Sequence, residues 1–317
     1  MSKQEIVNRY QESVKVKQVL KQIQQDKNQI QITNLVGSSM SFVISETFKK
    51  DDKSYLLIFN DKEEAAYHLN DLEQLLTQKR VLFYPGSYRR PYQIEETDNA
   101  NVLMRSEVLN RINSRKKPTI IVSYPEALFE KVVTKKDLER NTLKLSVSES
   151  VSLDFVNEIL FEYNFNRVDF VTEPGDFSVR GGIIDVFSFS NDEPFRIEFF
   201  GDEIDSIRTF DVETQLSKEK LRKASIMSNV ENKTLQEKRE SFLQYIASNT
   251  VIFLKNKDLL IGKLDKLFSR AESAFGELSK ELNHAKPIDL FCNGSFIQNQ
   301  LSNFRVASFE TYTSSLS

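Results

Sequence analysis

Val168-Asp-Phe-Val-Thr-Glu-Pro-Gly-Asp-Phe-Ser-Val-Arg-Gly-Gly-Ile-Ile-Asp-Val-Phe187 and, a short way on, Phe195-Arg-Ile-Glu-Phe-Phe-Gly-Asp-Glu-Ile-Asp-Ser-Ile-Arg-Thr-Phe-Asp211 decide how the chain is read. Apolar and polar residues alternate with period two, and Pro174-Gly175, Gly181-Gly182, Asn191-Asp192 and Gly201-Asp202 punctuate them. This predicts an antiparallel meander with one face buried and the other presented. The alternation sets Phe177 and Val179 on one face and Ser178 and Arg180 on the other. The Gly181-Gly182 pair permits a bulge or a close backbone approach and resets that alternation. Further on, Arg196 and Glu198 lie opposite Phe195, Ile197 and Phe199. Arg180, Arg196 and Glu198 are therefore expected to form an exposed polar patch. Arginine suits an interface, because its planar fork pairs with carboxylates.

The sequence before the meander has a different texture. Residues 5–25 carry Ile6, Val7, Tyr10, Val14, Val19, Leu20 and Ile23 at roughly helical spacing, which predicts one amphipathic helix. Between residues 30 and 133, apolar runs alternate with helical stretches. Strands are expected at Ser54–Phe59, Val81–Tyr84 and Thr119–Val122, and helices at Lys62–Leu76 and Val102–Ile112. That alternation argues for a mostly parallel sheet. Leu143–Val147 reads as a strand and Leu153–Tyr163 as a helix, opening an α+β segment. From about Lys218 helices and parallel strands are expected again: a helix at Gln236–Ile246, a strand at Thr250–Leu254, a helix at Lys257–Ala274, and strands at Ile288–Asn293 and Phe304–Phe309. The polar Ser/Thr-rich end closes no unit, which reads as a piece of a longer chain.

Composition narrows the function. At 317 residues two or more domains are expected, and 39% hydrophobic with 28% charged residues fits a globular protein. No apolar run is long enough to cross a membrane, and the polar start lacks a signal peptide's apolar core. The single cysteine, Cys292, allows no intrachain disulfide and no cysteine zinc cluster, and reads as a small buried hydrophobe in a reducing cytoplasm. The net charge is −3, and the basic clusters Arg89–Arg90 and Arg115–Lys117 are short, so little autonomous DNA binding is expected. The two histidines, His68 and His284, lie far apart at positions read as polar, which gives neither a zinc site nor a triad. Asp202-Glu203 follows an apolar run as a metal-holding pair can, but Gly201-Asp202 reads better as a hairpin turn.

The meander, with Phe210-Asp211-Val-Glu-Thr-Gln215 at its end, resembles the second domain shared by UvrB and the bacterial transcription-repair coupling factors. Glu173-Pro-Gly175 ahead of Phe177-Ser-Val-Arg-Gly-Gly182 resembles the coupling-factor form. Tyr84-Pro-Gly86 and Tyr124-Pro125 extend a weaker similarity over most of the chain. The resemblance implies a helicase-like, RecA-like α/β domain split by an inserted α+β antiparallel domain. The expected divisions are residues 1–29, an amino-terminal helix; 30–132, the first part of the α/β domain; 133–216, the insertion; and 217–317, the remainder.

The resemblance also implies the partner and removes the chemistry. UvrA would dock on the insertion through Arg180, Arg196 and Glu198. Ser178 stands where UvrB has a further arginine, and Asn166 and Arg167 are carried over from the coupling factors. RNA polymerase and DNA would be engaged by domains outside this chain, as would ATP and Mg²⁺, leaving this chain no cofactor and no catalytic residue. The nucleotide loop of UvrB corresponds to Asn34-Leu-Val-Gly37-Ser-Ser-Met40-Ser41. Gly37 remains and Ser41 matches a Mg²⁺-binding hydroxyl, but Asn34 and Ser39 replace glycines and Met40 replaces the phosphate-binding lysine. The competing readings are a working UvrB-type helicase domain and a DNA-binding domain.

Overall fold

A computed structural model describes residues 3–25, 29–33, 35–76, 81–87, 99–114, 117–228, 238–277 and 285–310. Asn34, the Arg89–Arg90 cluster, Arg115, Lys116, His284 and the Ser/Thr-rich end lie outside these residues. The chain divides into two compact units. One takes residues 1–93, 114–132 and 240–317, and the other takes 94–113 and 133–239.

The first unit is built on a six-stranded parallel sheet, ordered Gln29–Thr33, Arg305–Glu310, Val251–Leu254, Tyr55–Ile58, Ile120–Ser123, Val81–Phe83. Tyr55–Ile58, Ile120–Ser123 and Val251–Leu254 are buried at every residue, as strands covered on both faces must be. The helix Lys62–Leu75 starts where Asp61 accepts the Glu64 amide at 2.8 Å, which satisfies one of the orphan donors of its first turn. It buries Ala65, His68 and Leu72. The expected single helix over residues 5–25 is two, Lys3–Glu12 and Val14–Gln24. Ser13 takes an extended ψ of 128° between them, and this bend leaves Val14 exposed while Val7, Val16, Val19 and Ile23 are buried.

Three further expectations are corrected here. Ile288–Asn293 is not a strand: Pro287 opens a single turn, Pro287–Leu290, and Phe291 makes only an isolated bridge to Glu130. The helix expected over Gln236–Ile246 reduces, within the described residues, to Phe242–Tyr245. It is capped by Ser241 and Gln244 and preceded by extended Arg239–Glu240. Antiparallel structure also continues past Lys218. Ser217–Leu221 extends the meander, and Lys223–Met227 pairs with Thr142–Ser146.

The second unit contains a six-stranded sheet, ordered Ser217–Leu221, Glu203–Phe210, Phe195–Phe200, Ile183–Val186, Asp176–Arg180, Asn166–Arg167. All neighbours are antiparallel except Asn166–Arg167, which runs parallel to Asp176–Arg180. Phe177, Ile184, Val186, Phe195, Ile197, Phe199, Ile204 and Ile207 point into one core, shared with Val156 and Leu160 of the helix Leu153–Glu162. Phe161 meets Phe177 edge-on at 5.1 Å and fastens helix to sheet. The helix Asn99–Ser114 adds Val102 to the same core, although its place in the sequence assigns it to the α/β domain.

Gly175 enters this sheet at φ +96°, where a Cβ would lie 2.7 Å from Cζ of Phe189. Gly175→Ala combines left-handed strain with overpacking. It is expected to destabilise the second unit by about 2 kcal/mol or more, read as a lower urea midpoint.

Candidate protein-docking face

The face of the second sheet opposite its main core carries a charged cluster, and the centre of that cluster is a residue the sequence reading did not single out. Asp185 is 1% exposed and sits between Ser178 and Arg196 in the strand register. Arg196 donates to both its oxygens, Nε to Oδ1 at 2.7 Å and Nη2 to Oδ2 at 2.8 Å, while Arg180 Nη2 donates to Oδ2 at 2.6 Å. This two-pronged geometry is the strong form of the arginine–carboxylate pair. The hydrogen bonds to Asp185 raise the Arg196 pKa further, so the guanidinium stays charged.

The segments that carried the family resemblance build this arrangement. In Phe210-Asp211-Val-Glu-Thr-Gln215, Asp211 Oδ1 accepts the amides of Glu213 and Thr214 at 3.2 and 3.0 Å. The Thr214 amide and the Lys218 ammonium hold the Asp211 carboxyl down at about 2. That turn sets Gln215 in the left-handed region, φ +59°, where its carbonyl accepts Arg196 Nη1 at 3.0 Å. Phe210, fully buried, lies under the Arg196 guanidinium at 4.5 Å. Glycines shape the other end: Gly181 turns at φ +58°, and a Cβ on Gly182 would lie 3.0 Å from the Phe199 carbonyl. The Phe199 amide donates to Gly182 at 2.7 Å through that approach.

Arg180, Arg196 and Glu198 do share this face, but they are not one exposed patch. Arg180 is 46% exposed and lies 5.5 Å from the Phe170 ring, whereas Arg196 is only 16% exposed because Asp185, Gln215 and Phe210 enclose it. Glu198 pairs with neither arginine. Its Oε2 accepts from Arg208 Nη2 at 2.7 Å and Ser206 Oγ at 3.1 Å. Ser178 is buried, with its hydroxyl donating to the Asp169 carbonyl at 3.3 Å, so it offers no contact. Asn166 and Arg167 are exposed on the sheet's short edge strand.

Sequence reading also missed the aromatic part of the face. Alternation runs unbroken through Phe195–Phe200, so Phe199 enters the core and Phe200 is left 84% exposed at the hairpin end; the register shift beside them places its extra residue, Asp205, in the partner strand. Phe170 is 60% exposed and Leu216 also stands out. Exposed aromatic rings beside arginines are a feature of recognition surfaces. The signal for Phe200 was present as Phe199-Phe200, two rings in a row that alternation cannot both bury. Asp202-Glu203 closes the hairpin, with Phe200 paired to Glu203.

The first unit shows what became of the loop compared above with a nucleotide site. Met40 is buried. The Ser39 hydroxyl accepts the Val36 amide at 2.8 Å and donates to its carbonyl, and Ser38 bonds Tyr67 at 2.6 Å. Ser41 is buried and bonded to His68 Nδ1 at 2.7 Å, and Lys255 is paired with Glu64. Among the described residues lining the pocket beside this loop, the one Lys or Arg is Lys255, and Met40 stands where a phosphate-binding lysine would.

His68 is buried, contrary to its polar reading, and stacks on Phe59 at 4.4 Å. Burial lowers its pKa, against an opposing pull from Asp71. A depressed folded-state pKa means that stability is complete above the ordinary imidazole value of about 6.5 and is lost as pH falls towards the folded value. Acid titration of urea stability should therefore show a decline in the wild type that His68→Gln lacks.

Among the described residues, no helix is long and apolar enough to cross a membrane. A family model described as the UvrB interaction domain matches residues 143–231. The chain is 30% identical over 196 residues to a transcription-repair-coupling factor of Bacillus subtilis, covering 62% of this chain and 16% of that protein. It is 34% identical over 202 residues to that of Staphylococcus haemolyticus, covering 62% and 17%. With that of Staphylococcus aureus the identity is 33% over 213 residues, covering 64% and 18%. The match thus spans less than a fifth of the length of these relatives. The resemblance read from the meander is borne out: the chain is related to the UvrB-like, amino-terminal part of the coupling factors.

Proposed function

We propose, from this kinship, that the chain is a non-catalytic UvrB-like module that docks UvrA and so links stalled transcription to nucleotide excision repair. The observation that carries the reading is a coincidence of place. The span matching the UvrB interaction domain, residues 143–231, contains the whole face built on Asp185 and every arginine on it. In the same reading the parallel-sheet unit is a RecA-like domain that has lost its nucleotide site, as the spent hydroxyls of Ser39 and Ser41 support. ATP-driven movement on DNA and displacement of RNA polymerase would be the work of the longer parent protein, in the cytoplasm, with ATP and Mg²⁺ bound elsewhere in it.

Titrating purified UvrA against the 317-residue chain tests the docking. Saturable binding in the micromolar range or tighter is expected, and its absence would end the reading.

A further inference from the structure

Outside the carboxyl ends of three neighbouring parallel strands of the first unit lies a cavity of about 310 Å³. Ile32 and Phe309 reach it from strand ends, Val36 and Met40 from the loop and helix that follow, and Glu64 and Lys255 form a polar wall. Open parallel sheets take ligands at this edge, and a mainly apolar pocket with a few converging polar groups is the usual form of a small-molecule site. At this volume the cavity belongs with the smallest such pockets.

The wall dictates the ligand's charge. Glu64 and Lys255 neutralise each other, and the serine hydroxyls nearby are engaged with Val36, Tyr67 and His68. An anion entering would be desolvated, and among the described residues lining the cavity the one Lys or Arg, Lys255, is already paired with Glu64. The ion pair nevertheless keeps hydrogen-bonding capacity. An ammonium has three donors and a carboxylate about four acceptor sites, and Glu64 gives one of these to the Asn60 amide at 3.1 Å. A donor and an acceptor side by side read a molecular edge that carries the complementary pair. The Met40 thioether and the Phe309 ring supply soft surfaces against which a flat ring packs.

We propose that this cavity binds an uncharged, planar heteroaromatic molecule of nucleobase size, its donor–acceptor edge held by Glu64 and Lys255. The site is independent of the docking face and of the reading given to it.

The test titrates the 317-residue chain with adenine, adenosine, ATP and indole, followed by calorimetry and saturation-transfer NMR. Saturable adenine binding is expected, with ATP no tighter than adenosine. Val36→Trp, at an exposed loop position, should fill the mouth and weaken adenine at least tenfold without disturbing the fold. Glu64→Leu with Lys255→Met keeps the wall neutral and removes both the donor and the acceptor. It should weaken adenine at least tenfold while leaving indole, which lacks the paired edge, unchanged. The proposal is overturned by no saturable adenine binding at millimolar concentration, by ATP binding tenfold tighter than adenosine, or by a Val36→Trp chain that binds adenine normally.

Discussion

Asp185→Ala is expected to destabilise the second unit by about 3–5 kcal/mol, the cost of breaking a buried ion pair from one side. Two guanidiniums converge on this one carboxylate, and Arg196 cannot turn to water for replacement bonds because Phe210 and the Gln215 carbonyl enclose it. Arg180 is nearly half exposed and recovers part of its solvation, so the loss comes chiefly through Arg196. Asp185→Asn keeps the shape and one acceptor and should fall between wild type and alanine. The chain has no tryptophan, so the transition is best followed by hydrogen exchange of the amides in Ile183–Val186 and Phe195–Phe200 across a urea series. Adding Arg196→Ala to Asp185→Ala should cost less than the sum of the two, because the second change removes a charge the first had stranded. A loss below about 1 kcal/mol for Asp185→Ala would show that water already satisfies both arginines and that the face is not organised from its centre.

Much of the fold was legible because single elements announce themselves. Tyr55–Ile58 and Val251–Leu254 are unbroken apolar runs of strand length, and Asp61 ahead of Lys62-Glu-Glu marks a helix start by composition alone. Ile288–Asn293 failed because a short apolar stretch fits one turn as well as a strand, and only Pro287 at its first position hinted at the turn. Ser13 carries neither glycine nor proline to signal the bend beside it. The helix Asn99–Ser114 shows a different limit: spacing reveals that a helix has a buried side but not which core receives it.

The site was half legible for a related reason. Alternation placed Arg196 and Glu198 on the outer face, and a two-residue turn at Gly181-Gly182 sets Ser178 opposite Asp185. Whether Asp185 meets Arg196 depends on the register across the connection from Phe187 to Pro194, which no local pattern encodes. Asp185 therefore passed as one polar residue among many, and Glu198 was grouped with Arg196 when its partner is Arg208.

Arg180→Ala and Phe200→Ala should each weaken UvrA binding about thirtyfold, the roughly 2 kcal/mol of an interface hot spot, without changing the unfolding free energy from urea titration by more than about 0.5 kcal/mol. Both side chains are accessible in the isolated chain. Phe200 is 84% exposed, and Arg180 spends only one guanidinium nitrogen on Asp185. Two arginines share one carboxylate, so the centre of the face retains a net positive charge, and a partner's carboxylate can complete the fork of Arg180 while apolar groups cover Phe170 and Phe200. Arg180→Lys keeps the charge but loses the planar fork, so it should recover only part of the affinity. Phe155→Ala is the control. It removes an exposed ring of similar size from the helix packed on the opposite side of the sheet and should leave UvrA binding unchanged. Equal losses for Phe155→Ala and Phe200→Ala would place the contact off this face, and an unchanged Arg180→Ala would remove the arginine fork from it.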